Sequence, residues 1–381
     1  MNNNWTYKKL GEVCNSDLGK TLNQSKDKGT LRPYLCAINI LWDKVDLSIL
    51  KQTKFEDSEL ERYSAKKGDL LICEGGDTGR AAIWISDEPI LYQNALHRVR
   101  LNSECNARFV LYYLWYLKGN GDIDLKYSKG VTIKHLVKSS LLSIPIPIPS
   151  LSEQEAIVKE LDLIHSIIDK KNEQLRELDK LAQSVFYTMF GDPIVNDKNW
   201  EIKKLGEVGT IIGGGTPKTD EKANWIGTNS WVTPAELKDK YIYKTERTIS
   251  DEAARHLELM PIGTVLLSSR APIGKLAITR IPMCCNQGFK NIVCGELLDS
   301  EFTYYYLFFN IPRLQDMGVG ATFKEISKSS VQKFPIILPP LSLQQEFAKK
   351  VEAIEAQKEL IRKSIAEVET LLASRMQYHF G

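Results

Sequence analysis

The chain has 381 residues, 43% of them hydrophobic, and 50 Lys+Arg against 48 Asp+Glu leave a formal charge of only +2. That length allows two to three domains with cores of their own, and the balance excludes a histone-like basic surface, so nucleic-acid binding would rest on locally placed cations. Seven cysteines without a CxxC pair read as reduced thiols of a cytoplasmic protein, not a disulfide frame or zinc site, and neither an apolar signal core nor a membrane-length apolar run occurs.

The first element is WTYKKLGEV, residues 5–13, and its near-copy WEIKKLGEV stands at 200–208, with seven of nine positions identical. The downstream sequence is duplicated as well. At an offset of 195, KKGDLLICEGGDTGRAAI (66–83) lies on PIGTVLLSSRAPIGKLAI (261–278). At 193, QNALHRV (93–99) lies on NQGFKNI (286–292), and FVLYYL (109–114) on FTYYYL (302–307). At 190, GVTIKHLVKSS (130–140) lies on GATFKEISKSS (320–330), and IPIPIPSLSEQE (144–155) on FPIILPPLSLQQ (334–345). A unit of this size repeated once is a duplicated domain, not a solenoid. Short β-type runs such as DLLICEGG, AAIWIS and TVLLSS alternate with short helical stretches, so each first part reads as a mixed α+β module. The proline-rich hinges forbid helix and favour edge strand or polyproline II.

Each hinge leads into a long helix. Ser152 with Glu155, and Ser342 with Gln345, have capping-box spacing. The heptad seam then reads Leu161, Ile164, Ile168, Lys171, Leu175, Leu178, Ala182, Val185, Met189, and in the second copy Val351, Ile354, Lys358, Ile361, Ile365, Val368, Leu372, Arg375, His379. Gly191-Asp192-Pro193 stops the first helix. The expected organisation is a module at 1–151, a helix at 152–190, a module at 191–341 and a helix at 342–381. The simplest pairing is of the helices with each other, antiparallel, as a rod of ~57 Å between two heads related by a pseudo-two-fold axis.

No G-x-x-x-x-G-K-[ST], H-E-x-x-H, G-x-S-x-G or N/D-P-P-Y/F motif occurs, and the five histidines have no ligand spacing. GGDTGR (75–80) lacks the Lys-Ser/Thr of a phosphate loop and reads as a tight turn. Gly213–Lys218, GGGTPK, is either a loop facing DNA, with Thr216 and Lys218, or a plain strand-to-loop turn. The first copy has Ser16–Thr21 there, with Lys20 and Thr21. Arg80/Lys275, Lys134/Lys324 and Thr132/Thr322 share repeat positions, as phosphate contacts common to two half-sites would, or as solvated surface groups. Base readers should differ between copies. Candidates are Asn39, Glu74, Asn94, His97 and Arg98 in the first module, and Thr233, Arg270, Asn286, Gln287 and Lys290 in the second, with polar turn residues as the alternative. The aromatic runs 112–116 and 304–306 recur at helical spacing with Leu and Phe, which favours core over a base-stacking platform.

The two W-x-x-K-K-L-G-E-V starts, GGGTP, VLLSSRAPIGKLAI, the IPSLSEQE and PPLSLQQ helix starts and the F-G ends at 190–191 and 380–381, in the same order twice, resemble the specificity (S) subunits of type I restriction–modification systems. The resemblance covers essentially the whole chain. It implies two target-recognition domains, each reading half of a bipartite, non-palindromic site in duplex DNA, with the helices setting the gap. It further implies docking of two methyltransferase (M) subunits, near Gln154, Gln174 and Gln344, and association of restriction (R) subunits. The chain itself would perform no chemistry, leaving S-adenosylmethionine, ATP and magnesium to its partners. The alternative expectation is a duplicated coiled-coil adaptor that binds protein.

Overall fold

The computed structural model describes residues 5–23, 25, 27–130, 134–270, 272–320 and 324–381. The chain forms two compact units, Met1–Asn172 with Lys363–Gly381, and Glu173–Arg362. Two helices of 40 residues each, Leu151–Phe190 and Leu341–Phe380, run from one unit into the other, so each unit owns half of each helix.

In the first unit, the start motif and the hinge form one structure. Thr6–Lys9 pairs antiparallel with Pro145–Ile148, Tyr7 opposite Pro147 and Lys9 opposite Pro145. Prolines are tolerated because a two-stranded ladder leaves one edge of each strand unpaired. The chain then turns through Leu10–Glu12: Leu10 is buried, its N–H donates to the Ile144 carbonyl at 2.8 Å, and the Glu12 carboxylate accepts the Lys9 N–H at 2.5 Å. Lys204 and Glu207 repeat this cap at 3.0 Å in the second unit, where Ile202–Lys204 pairs with Pro335–Ile337. Starts and hinges recur together because each is the other's strand partner.

The first unit carries two four-stranded sheets. One runs Cys14–Leu18, Leu96–Leu101, Leu70–Cys73, Ala81–Ile83, antiparallel throughout. The other runs Lys51–Phe55, Thr30–Leu35, Ile90–Tyr92, Ser64–Ala65, with the middle pair parallel. In the second unit, Gly209–Gly213, Lys290–Cys294, Val265–Leu267, Leu276–Thr279 and Tyr241–Ile242 make a five-stranded sheet, and Arg247–Ile249, Asn229–Val232 and Cys284–Cys285 a three-stranded one.

The aromatic runs are core. Ala107–Gly119 is a helix whose N-terminal N–H groups at Arg108 and Phe109 are capped by the Asn106 side chain. It buries Phe109, Tyr112 and Tyr113 against Ile157, Leu161, Ile164 and Ile168 of one long helix and Leu372, Met376 and Phe380 of the other. Ser300–Phe309 does the same in the second unit, with Ala182, Phe186 and Phe190 meeting Phe347, Val351 and Ile354. The long helices are antiparallel within each unit. In the first, Glu160 bonds Arg375 and His379, while Ile168 and Asn172 share a cleft with Glu369 and Leu372. In the second, Asp179 meets Lys358 at 2.6 Å and Phe186 meets Phe347 at 5.5 Å. Lys358, which breaks the apolar seam, is buried because Asp179 and Glu355 neutralise it.

The helix caps differ from expectation. Ser152 and Ser342 lie inside the helices. The Glu153 N–H is accepted by Ser150, and the Leu343 and Gln344 N–H groups by the Pro340 carbonyl. The helices thus begin earlier than the capping-box spacing implies, directly at the end of the proline hinge.

Candidate nucleic-acid interface

Backbone hydrogen bonds gather the same four loops in each unit. In the first, the Glu74 N–H donates to the Ala95 carbonyl at 3.0 Å, the Leu136 N–H to the Glu74 carbonyl at 2.7 Å, and the Lys20 N–H to the Tyr92 carbonyl at 3.2 Å. In the second, the Ser269 N–H donates to Gly288 at 2.8 Å, Ile326 to Ser269 at 2.9 Å, and Gly215 to Cys285 at 2.9 Å. One glycine in each leading loop is obligatory: a Cβ on Gly19 would stand 2.3 Å from the Gln93 carbonyl carbon, and one on Gly214 would stand 2.1 Å from the Asn286 oxygen. Gly19 therefore does in the first copy what the middle of the triple glycine does in the second. GGDTGR is the expected turn, with Gly76 and Gly79 at φ of 76° and 82°.

Over this frame the two units present different side chains. Asn94 reaches Thr21 at 3.4 Å in the first, and Thr216 donates to Gln287 at 2.5 Å in the second. Thr21, Thr216, Lys218, Arg270, Gln287 and Lys324 are exposed, and Glu74, Asn94, Lys134, Asn286 and Lys290 are half-buried beside them. Their charges are partly spent. Arg270 and Lys290 both bond Glu325, at 3.0 and 3.2 Å. Burial alone would raise the Glu325 carboxyl, but these two cations bring it below the usual carboxylate range. Lys218 pairs with Glu221 at 2.8 Å, Asn286 caps the Gly288 N–H at 2.9 Å, and Lys134 donates to the Asp124 carbonyl at 2.9 Å.

Several expected contacts lie inside the fold instead. Arg80 and Lys275 recur for a structural reason. Arg80 Nη2 donates to the Ala37 carbonyl at 2.9 Å and Lys275 Nζ to the Pro234 carbonyl at 3.1 Å, so each braces a 3₁₀ turn, the one after Thr30–Leu35 in the first unit and the one after Asn229–Val232 in the second. Asn39 and Thr233 belong to those turns. Asn39 is buried, accepts the Cys36 N–H at 2.9 Å and donates to Asp46 and Ile49, while Thr233 bonds Glu236. Lys20 is buried under Glu59 and Asp27. Arg98 is buried on Asp17 and the Ser64 carbonyl. His97 is fully buried and donates Nε2–H to the Leu136 carbonyl at 2.8 Å; burial outweighs that bond and lowers its pKa, keeping the ring neutral. Thr132 and Thr322 lie outside the described residues.

Gln154 and Gln344 are also corrected: neither is a surface docking group. Gln154 accepts the Asn106 N–H at 2.7 Å and donates to Glu104 and Pro149; Gln344 accepts the Asp299 N–H at 2.9 Å and donates to Leu297 and Pro339. Both are fully buried and clasp the start of a long helix to the cap of the module helix. Gln174 alone of the three is exposed.

One group on this face escapes a sequence reading. Trp225 and Trp231 stand edge to face, 5.0 Å apart, and their indole N–H groups hold the carbonyls of Lys218 and Gly215 in the leading loop. Arg247 lies over them. The three residues are spread along the chain and fall outside the aligned repeat blocks, so only the local richness in tryptophan could have drawn attention.

Comparison with known proteins places this geometry. The family described as "Type I restriction modification DNA specificity domain" matches residues 2–180 and 197–370. The specificity subunit of the type I restriction enzyme MjaIX of Methanocaldococcus jannaschii is 39% identical over 158 residues, 40% of this chain and 37% of that relative. That of EcoR124I/EcoR124II from Escherichia coli is 24% identical over 303 residues, 74% of this chain and 72% of the relative. A chain from a structure of complex assembly and conformational transition in the type I R-M system shares the fold with a TM-score of 0.59 at 21% identity, covering 99% of this chain and 97% of that one.

Proposed function

Since this chain belongs to the family of type I restriction modification DNA specificity domains, we propose that it selects the DNA sequence on which partner methyltransferase and restriction subunits act, and performs no catalysis itself. Each unit reads one half of a bipartite duplex site. The observation that carries this is the four-loop frame, built twice from equivalent backbone bonds but dressed with different polar side chains. A common frame suits phosphate contacts made alike at both half-sites, and different side chains suit different bases. S-adenosylmethionine, ATP and magnesium belong, on this reading, to the partners, two methyltransferase subunits among them.

The helices shared by both units set the spacing between half-sites. Inserting one heptad into each, after Asn172 and after Arg362, lengthens it by about 10 Å, roughly three base pairs. Mapping methylated positions in DNA from cells carrying the variant and its partners is expected to show both half-sites unchanged and a longer gap. Unchanged spacing would remove the spacer role. Absence of sequence-selective, salt-dependent duplex binding with partners present would remove the whole reading.

A further inference from the structure

On the smaller sheet of the second unit, Arg247 begins the edge strand Arg247–Ile249, directly opposite Trp231 on Asn229–Val232. Its guanidinium carbon lies 3.6 Å from the centroid of the Trp225 ring and 5.3 Å from that of Trp231. Arg247 is exposed, Trp225 half-buried and Trp231 buried.

Two features set this side chain apart. First, the other arginines of the same unit are spent on side chains, Arg313 donating to the Asn310 amide oxygen at 3.0 Å and the rest leaning on carboxylates. Arg255, Arg270, Arg280 and Arg362 each lean on a glutamate, at 3.0, 3.0, 3.1 and 3.9 Å, whereas Arg247 has no carboxylate partner among the described residues. Its charge is balanced by ring faces, which satisfy the flat side of a guanidinium and leave the in-plane N–H donors for another acceptor. Second, the platform that holds it also holds the leading loop. Trp225 Nε1 donates to the Lys218 carbonyl at 3.1 Å and Trp231 Nε1 to the Gly215 carbonyl at 3.0 Å. Thr216, on that loop, donates to Gln287. A pre-oriented planar fork thus stands beside the polar tips of the four-loop face.

We propose that Arg247 is a base-reading residue of the second unit, presenting its fork to the paired acceptors on the major-groove edge of a guanine, a role that rests on the DNA-reading function proposed above. Trp225 is its positioning residue. A stacked arginine loses little rotamer freedom on binding, and the bidentate match to O6 and N7 discriminates guanine from the other bases.

The test is selection from randomised duplexes by the full chain with its methyltransferase partners, comparing the unaltered protein with Arg247→Ala, Arg247→Lys, Trp225→Ala and Trp225→Phe. Thermal melting checks that each variant is folded. Both Arg247 variants are expected to lose the preference for guanine at one position of one half-site by about 5- to 150-fold, with every other position unchanged. Trp225→Ala should lose the same position, and Trp225→Phe, which keeps a ring face, should retain most of it. Uniform weakening across all sequences, with the salt slope reduced by about one, would make Arg247 a phosphate contact and overturn the base-reading role. An unchanged motif would overturn it too. If the unaltered chain selects a bipartite motif and only the variants fail to alter it, the DNA-reading function survives without this inference. If the unaltered chain selects no sequence, both fall.

Discussion

Where the second unit lays Arg247 opposite Trp231, the first carries Lys51 opposite Tyr34. The frames agree to the residue: Tyr34 lies beside Leu91 and Trp231 beside Cys284, each in a parallel pair. Their chemistry does not, because a lysine is a hydrated point charge and a stacked arginine is an oriented fork. The contrast extends to how each module grips the long helices. In the first unit one arginine does it: Arg108 bonds Asp43 at 2.7 Å and Asp162 at 2.6 Å, with His165 beside Asp43 at 3.3 Å. In the second unit charges alternate, Lys240 on Glu301 at 2.7 Å and Glu355 at 3.7 Å, then Lys358 on Glu355 at 3.0 Å and Asp179 at 2.6 Å. What stays the same in both units is what closes backbone: the capped start turn, the buried glutamine, the cation under the 3₁₀ turn. Duplication preserved the carpentry and let the outward side chains diverge.

The largest expected effect probes the cores at the helices. Phe190 is fully buried among Phe186, Phe302 and Phe347, and Phe380, its counterpart in the repeat, packs on Phe109, Tyr113 and Tyr116 in the first unit at 8% exposure. Phe190→Ala is expected to destabilise by about 3–5 kcal/mol and Phe380→Ala by less, measured by denaturant unfolding of the full chain. Equal losses would mean that the two ends are packed alike after all.

A smaller and equal effect is expected at the repeated cation. Arg80→Ala and Lys275→Ala each leave a turn carbonyl without its charged donor, a loss of about 1–2 kcal/mol. Because both cations face inward, the salt slope of DNA binding should stay the same. A slope lowered by about one in either variant would restore the phosphate role.

The smallest effect is a pH trend in the first unit. The hydrogen bond that His165 donates to the Asp43 carboxylate raises the His165 pKa above its ordinary 6.5, against the opposing cost of burial. A folded-state pKa above the unfolded one contributes stability that is complete below about pH 6.5 and is lost as pH rises through the folded value. Thermal melting of the full chain should therefore fall slightly on going above neutral pH, and His165→Gln should flatten that part of the profile. A variant with the same slope would place the titration elsewhere.

Much of this was readable from the chain alone. Periodicity over 152–190 and 342–381 gave the helices, because the 3.5-residue spacing of Leu161, Ile164 and Ile168 can be satisfied only on one helical stripe. Aromatics at 112–116 and 304–306 were identifiable as core from their spacing among Leu and Phe. Polar residues were harder. Gln154 and Gln344 look like surface residues of a charged helix, and Arg80 and Lys275 look like shared phosphate contacts. A polar side chain repeated in both copies has the same appearance whether it satisfies the interior or meets a ligand.

Local rules thus sufficed for the two long helices and the apolar seam, since each depends on residues a few positions apart; the duplication came from matching the chain against itself, and the proline hinges stayed open between edge strand and polyproline II. Which polar groups remain outward was settled by folding, because that depends on acceptors brought from elsewhere in the chain. Arg80 is turned inward by the Ala37 carbonyl and Arg270 held by Glu325, while Arg247 is left with its donors free by two tryptophans that satisfy only its face.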